Sequence, residues 1–334
     1  MRREPACLVV RCPGPSIALR DHGQRGWRRF GVPAGGVMDR VSAAIANTLV
    51  GNPANAAILE FMLWGGTFEV AADSCRLAVS GGPFPISAAG QWMAPNRSFH
   101  LRRGDLLRID PAPQAVWGYL AVAGGFEVPQ LLECDTAYAT SSLGVLNGGA
   151  LQKDHALPLN AGFAARGPDR AIYQRGRPIN VLIRVVLGPQ DDMFARTDIG
   201  IFLDNAWRVT HQASRMGYRL EGPSLNAAQG ASFVSDGVVP GSIQVAGSGQ
   251  PIVLLRDAPS TGGYLKIACV ITADLDAMAQ RGPGARLRFE AITLCEAQRL
   301  RETYLAELDR MPQLVQEMPE LAAVTPAQEY AHDL

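Results

Sequence analysis

Four short segments carry the residues that could do chemistry in this chain. Thr261-Gly262-Gly263-Tyr264 brings a hydroxyl, a backbone open to close approach and an aromatic face together within four residues. That set suits a flat ring or a planar amide lying against a sheet; the plain alternative is a β-hairpin with Tyr264 as a packing residue. Two residues further on stands Lys266, which with Lys153 makes up all the lysine in 334 residues. Any step that needs an amine therefore has two candidates. Gly31-Val-Pro-Ala-Gly35-Gly36-Val-Met-Asp39 leads into a helical pattern. Paired glycines before a capped helix leave backbone N–H groups facing outward, a place for an anionic oxygen or a polarised carbonyl. Read plainly, Gly35 and Gly36 make a sharp turn and Asp39 only caps.

The other two segments are polar clusters at strand ends. In Gly188-Pro-Gln-Asp-Asp-Met-Phe194, Gln190 could orient an amide or a carboxylate, while Asp191 and Asp192 serve equally well as caps of a turn. In Ser214 to Gly222, strict alternation puts Arg215, Gly217, Arg219 and Glu221 on one face and Met216, Tyr218 and Leu220 on the other. Arg215 could clamp a carboxylate through its forked guanidinium, or an Arg–Glu pair could bridge strands on a solvated face.

Behind these segments the chain reads as strands joined by tight turns. Gly (35) and Pro (23) punctuate short apolar runs throughout. Leu77–Ser80, Leu106–Ile109, Tyr119–Val122, Val181–Val186 and Ile252–Leu255 have strand character, with turns at Arg103-Gly104-Asp105 and Gly247-Ser248-Gly249. Ser235–Val245 and Pro251–Ile267 together read strand, turn, strand, Gly-rich turn, strand, with Gln244 near the end of the first part. Helices are few. Asp39 heads Arg40–Val50, where Val41, Ile45 and Leu49 have amphipathic spacing, and Gly51-Asn52 ends it. Thr272 is positioned to cap Ala273–Gln280, with Asp274 in the first turn. Thr293 and Glu296 form a capping box opening a helix to about Leu308. From Met311 the tail, with scattered Pro and Glu, reads as partly disordered. The polar stretch Arg166–Asn180 is the boundary between two β-rich halves, giving an N-terminal half 1–170, a C-terminal half 171–295 and a helix with tail 296–334. On these grounds alone the chain is all-β or mixed β with peripheral helices, barrel and sandwich being equally open.

Bulk numbers remove several classes of function. Hydrophobic residues are 47% and charged residues 19%, enough apolar matter for a large core and against wholesale disorder. Lys+Arg and Asp+Glu both number 31, so nothing in the charge calls for nucleic acid or a membrane surface. No apolar run approaches the roughly 20 residues of a membrane helix, and nothing at the N-terminus reads as a signal peptide. The cytoplasm is the expected compartment, with the six cysteines reduced. There is no G-x-x-x-x-G-K-[ST], no G-x-G-x-x-G after a strand and no G-x-S-x-G. The five histidines form no H-x-x-x-H pair, so no metal is expected. Neither Leu-Gln-Lys153-Asp nor Tyr-Leu-Lys266-Ile resembles a biotin attachment segment.

Taken in order, the segments resemble the biotin-dependent carboxyltransferase family, which includes 5-oxoprolinase C subunits, KipA and the allophanate hydrolase subunit 2 domain. The matching stretches are Gly31–Glu60, Tyr119–Pro129, Gly188–Phe194, Arg215–Gly222 and Ser235–Phe289. The resemblance implies a mainly β fold of cyclophilin-like β-barrel domains with a few peripheral helices. It implies a subunit of an ATP-dependent amide or lactam hydrolase converting 5-oxoproline to glutamate. The implied partners are a B-type (KipI-like) subunit and an A-type (LamB/YcsF-like) subunit, with ATP used by the assembled complex. A carboxyltransferase taking CO2 from carboxybiotin held in trans, and a KipA-like regulator of a kinase inhibitor, are the alternatives. On this basis Asp39, Arg215 and Tyr264 are expected to be catalytic, with Asp39 and Asp236 the candidates for general base. Gly35, Gly36, Asn47, Gln190, Gln244, Thr261, Gly262, Gly263 and Lys266 are expected to bind substrate. The wording departs from the family's at Leu132–Thr136, at Gly148–Leu151 with Asp154-His155, where an Arg is missing, and at Pro259-Ser260. These departures bear on the substrate rather than the fold.

Overall fold

The structure, a computed structural model, describes residues 5–23, 26–113, 115–129, 149–160, 167–173, 182–226 and 234–318. The Leu132–Thr136 departure, Gly148, Cys134, most of the Arg166–Asn180 stretch, Val181 and the tail beyond 318 lie outside them. The chain divides into two compact units. One takes residues 1–22, 40–174 and 308–334, the other 23–39 and 175–307. The sequence reading keeps 23–39 with the first half; contacts place that segment with the second unit instead, for the reasons given below.

The first unit is built from two antiparallel sheets. In one, the strands run in the order Ala156–Pro158, Cys7–Pro13, Gly66–Ala71, Leu106–Ile109, Ile86–Ala88 and Gln91–Met93. In the other the order is Ile17–Arg20, Ile58–Met62, Trp117–Val122, Ser74–Ser80, Arg97–Arg102, Arg170–Ala171 and Gln316–Glu317. Gly66–Ala71 alternates strictly between buried and half-buried positions, the pattern of a strand with one face on a core. Leu8, Val10, Phe68 and Val70 from the first sheet meet Leu59, Phe61, Leu77 and Leu120 from the second in one apolar cluster. Helix α1 (Arg40–Val50) has the bounds its spacing predicts and buries Val41, Ile45 and Leu49. It lies on Trp117–Val122 and Ser74–Ser80.

The second unit is a closed barrel of seven strands. Around it run Leu182–Leu187, Leu265–Val270, Ser242–Val245, Pro251–Leu254, Gly217–Glu221, Trp207–Ser214 and Arg286–Ala291. The first and last of these pair in parallel, Leu182 opposite Arg288 and Val185 opposite Ala291, and this closes the ring. Closure removes the open sheet edges that would otherwise need covering. Ile183, Val185, Trp207, Val209, Tyr218, Leu220, Leu287 and Phe289 are all buried, alternating with exposed or half-exposed neighbours, and Val253 is buried beside Leu254. Helix α2 (Arg196–Asp204) adds Phe202, which stacks on Phe289 at 4.6 Å, and its carbonyl takes the Trp207 indole N–H at 2.9 Å.

One expected helix start differs and another holds. Thr272–Asp274 is a 3-10 turn and α3 (Leu275–Ala279) is only five residues long. Asp274 caps nothing with its side chain, because it is held by Arg184, whose Nε and Nη2 donate to it at 2.9 and 2.5 Å. At α4 (Leu294–Asp309) the Glu296 N–H does donate to Thr293 Oγ1 at 3.2 Å, half of the capping box. The expectation of a disordered tail fails for 311–318, where Met311–Leu314 forms a 3-10 turn and Gln316–Glu317 pairs with Arg170–Ala171. Among the described residues no helix is long and apolar enough to cross a membrane.

Candidate functional site

The best-assembled polar cluster of the second unit lies on barrel strand Leu265–Val270. Lys266 faces Gln244 across the ladder, since the two are register partners between Leu265–Val270 and Ser242–Val245. Direct cross-strand partners project to the same side of a sheet. Ile243, Leu265 and Ile267, the alternate positions, are apolar and buried, so Lys266 and Gln244 belong to the opposite face. A two-stranded ribbon accompanies that face, Asp236–Gly237 paired with Thr261–Gly262.

The side chains lock together there. Lys266, 3% exposed, donates from Nζ to Asp236 Oδ2 at 2.5 Å and to the Gly237 carbonyl at 2.9 Å. An ammonium has three N–H donors, so one remains among the described residues. Asp236 is the exposed end of the pair, with half of its side chain in solvent. Its carboxyl is held below the usual carboxylate range, chiefly by the bond from Lys266 and then by the Gly237 N–H. Gln190 closes the other side. Its Oε1 accepts the Lys266 N–H at 3.0 Å and its Nε2 donates to Asp236 Oδ2 at 3.3 Å. It reaches that place because the chain leaves strand Leu182–Leu187 through Gly188 at φ +98°, a conformation that favours glycine.

Gly262 sits against Gln244. A Cβ on it would come within 2.5 Å of Gln244 Nε2, so the ribbon lies this close only because the residue is glycine. Gln244 Nε2 donates a long bond to the Tyr264 carbonyl, 3.4 Å. The Tyr264 side chain is half exposed, beside Gly263 at the end of the ribbon, and Thr261 is exposed. Lys266, Gln190, Gln244, Gly262 and the Thr261–Tyr264 turn thus come together, and with them Asp236, which the sequence offers only as a candidate base. An isolated Asp-Gly in a loop is a weak signal; its value comes only from pairing with Gly262 opposite.

The remaining expected residues have other duties. Arg215 is not on the alternating face of its strand, because Arg215 and Met216 form the turn between Trp207–Ser214 and Gly217–Glu221. Its guanidinium is 8% exposed and forked onto Asp257 at 2.8 and 2.9 Å, while Nη2 also donates to the Gly36 carbonyl at 2.6 Å. It holds a loop in place and presents no open clamp. The cross-strand pair on the solvated face does exist, as Arg208 with Glu221. The Gly35 N–H donates to the Arg256 carbonyl at 2.9 Å, so that donor does not face a ligand. Arg28 Nη2 likewise donates to the Val238 and Pro259 carbonyls. These bonds are why 23–39 belongs with the barrel. Asp39 is buried and takes the Gln280 Nε2 at 2.9 Å. Asn47 lies in the first unit, fully buried, donating to the Ala56 carbonyl at 2.8 Å and accepting from Asn52 at 3.3 Å. It pins the end of α1. The loop containing Gly36 still connects to the site, through Arg215, Asp257 and then Pro259 to Thr261, but as a support.

No group of three or more metal-ligating side chains occurs among the described residues. What the arrangement offers is an anchored ammonium, an ionised carboxylate and two carboxamides beside a glycine ribbon. Chemically, such a set of donors and acceptors is complementary to a planar, polar amide.

Comparison with known proteins gives the lineage. The model of the carboxyltransferase domain, subdomain A and B, matches residues 30–291. The 5-oxoprolinase C subunit of Haemophilus influenzae is 33% identical over 307 residues, covering 90% of this chain and 96% of the relative. The 5-oxoprolinase C subunit of Escherichia coli is 32% identical, covering 86% and 92%. Among solved structures, the urea amidolyase of K. lactis superposes with a TM-score of 0.86 at 27% identity, covering 96% of this chain and 21% of that much longer one. The chain belongs to the carboxyltransferase domain, subdomain A and B, family.

Proposed function

We propose that this chain is the C-type subunit of an ATP-dependent lactam hydrolase of the 5-oxoprolinase type, acting with B-type and A-type subunits. The observation that carries the reading is the Lys266 ammonium, buried on the barrel wall and tethered by Asp236 and Gly237, with one N–H unspent among the described residues. Near-full-length similarity to two 5-oxoprolinase C subunits supports the substrate class.

Opening a lactam places negative charge on the carbonyl oxygen as a nucleophile adds. A fixed cation about 2.7–3.1 Å from that oxygen stabilises the charge without reorganising. Lys266 is suited to this, because Asp236 and the Gly237 carbonyl fix its ammonium before substrate arrives, and Gln190 holds its backbone N–H. Asp236 itself is a weak candidate for general base, since its carboxyl is held low and a base works best with a pKa near the operating pH. Its role is to orient Lys266. Tyr264 offers a half-exposed aromatic face at the end of the ribbon, and Thr261 a hydroxyl.

Among the described residues, the phosphate cradle expected before α1 is not open to ATP. The Gly35 N–H, which a phosphate cradle before α1 would need, is already spent on Arg256. The nucleotide therefore falls to the partner subunits. Nor does the site fit covalent biotin, because Lys266 Nζ is buried and twice bonded. The close superposition on urea amidolyase favours one second reading, carboxyl transfer from biotin carried in trans, in which Gln190 and Gln244 orient the ureido plane. Co-expression with B-type and A-type subunits, followed by an assay for ATP-dependent release of glutamate from 5-oxoproline, tests the first reading. Turnover is expected in the complex, none in the isolated chain, and none in a complex carrying Lys266→Met. A complex that turns over 5-oxoproline unchanged with Lys266→Met would refute the assignment.

A further inference from the structure

Gln244 is 5% exposed, yet its hydrogen bonding is incomplete. Its carboxamide has a defined orientation, because the group it faces at 3.4 Å is the Tyr264 carbonyl. A carbonyl only accepts, so the NH2 end must point to it and the oxygen must point away. Among the described residues Oε1 has no hydrogen-bond partner, and it is not one of the sealed orphan atoms of the barrel unit, which are those of Arg28 and Arg281. Oε1 is therefore open to solvent although the residue as a whole is buried, so this acceptor is within reach of a ligand. Gln190, the neighbouring carboxamide, shows the contrast, with both ends engaged by Lys266 and Asp236.

Gln244 is fixed beside Lys266 by strand register and against Gly262, where a Cβ would lie 2.5 Å from its Nε2. The glycine therefore keeps room for this side chain. Among the described residues the cluster holds one unspent donor, on Lys266 Nζ, and one unspent acceptor, Gln244 Oε1, on adjacent strands. A donor and an acceptor side by side are complementary to the C=O and N–H edge of a single planar amide.

We infer that Gln244 Oε1 accepts the N–H of the substrate amide, so that Gln244 is a specificity-determining residue selecting amides whose nitrogen carries a hydrogen. This rests on the reading of the Lys266 cluster as the substrate site, and it holds equally for a lactam and for a urea. N-alkylation removes the donor and puts a methyl group against that oxygen.

The test is calorimetric binding to the assembled complex, wild type and Gln244→Leu, of four probes: 5-oxoproline, N-methyl-5-oxoproline, urea and tetramethylurea. Wild type should bind at least one N–H probe, and should prefer it to its N-methylated counterpart by about tenfold to a hundredfold or more, the range for a buried polar group left unpaired. In Gln244→Leu that preference should shrink to within about threefold, while the melting temperature shows the variant folded. Gln244→Glu, which keeps an acceptor, should retain a preference for N–H. Wild type that binds neither N–H probe, or that binds N-methylated and parent compounds alike, overturns the inference. So does a Gln244→Leu complex that keeps the full preference. The reading as a 5-oxoprolinase fails separately, when urea shows the Gln244-dependent preference and 5-oxoproline neither binds nor is turned over.

Discussion

Arg215→Ala separates a structural arginine from a catalytic one. In the wild-type barrel the guanidinium makes two bonds to Asp257, at 2.8 and 2.9 Å, and one to the Gly36 carbonyl at 2.6 Å. The two side chains are 9% and 7% exposed. Truncation to alanine leaves a buried carboxylate facing a void. Breaking a buried pair from one side costs about 3–5 kcal/mol, and the orphaned Gly36 carbonyl lies within that range. For a unit of this size each kcal/mol shifts the midpoint by about 2–4 °C, so the barrel should melt roughly 6–20 °C lower. The double variant Arg215→Met with Asp257→Leu should recover much of the loss, because the costly element is the unpaired charge. Urea unfolding gives the free energy, and amide exchange in peptides 207–221 and 251–258 localises it to the barrel. An Arg215→Ala protein within about 1 kcal/mol of wild type, folded in complex yet inactive, would refute this reasoning. Arg215 would then be the substrate clamp that its residue type first suggested.

Gly262→Ala should leave unfolding free energy within about 1 kcal/mol of wild type, since the entropy gained from replacing glycine offsets one long hydrogen bond. Substrate binding, read by calorimetry, should fall at least about tenfold as Gln244 is displaced; unchanged binding would remove the ribbon from the site. The Lys266–Asp236 contact has a definite pH window. A lowered carboxyl contributes stability that is present above its ordinary pKa of about 3.9 and lost as pH falls through the lower folded value. Exchange protection of 236–238 and 260–262 should hold from about pH 7 to about 4 and drop only below, and a drop near about pH 5–6 would contradict it. Lys266 should remain unbiotinylated when the chain is expressed with a biotin ligase; a streptavidin band that disappears in Lys266→Ala is the contrary result. Arg281 is 4% exposed, with Nε and Nη2 unpartnered and its guanidinium pushed down by burial. Arg281→Met should therefore be neutral or stabilising by up to about 2 kcal/mol in urea unfolding, and a loss of several kcal/mol would reveal a partner or an ion on that group.

Local pattern makes parts of this molecule legible. Strand Leu106–Ile109 and helix Arg40–Val50 have the bounds their spacing predicts, because period and caps are set within a few residues. The polar wall is partly visible for the same reason: a lysine is rare enough here, and Thr-Gly-Gly-Tyr dense enough, to mark a site. Arg215 is misplaced by a pattern that extends alternation two residues past the strand into a turn, and a turn breaks the period. Asp39 and Gly35 are misjudged from sequence because their partners, Gln280 and Arg256, are more than two hundred residues away. Residue type says which bonds a group can make; whether those bonds are already spent is decided by tertiary neighbours.

The long reach of the 23–39 segment has a consequence for synthesis. Arg28 meets Val238 across 210 residues and Arg215 meets Gly36 across 179. At ribosomal speeds of about 5–20 residues per second, the segment emerges roughly 10–40 s before its partners exist. It has to wait, carrying Phe30, which stays 64% exposed even in the finished protein. The barrel has its own delay, since its first strand finds its parallel neighbour only when Arg286–Ala291 has been made. Every residue of the Lys266 cluster is translated by position 266, yet a nascent chain stopped there has a ring with two raw edges and no fixed site. Competence arrives late and all at once, which makes the last strand the checkpoint of the whole unit.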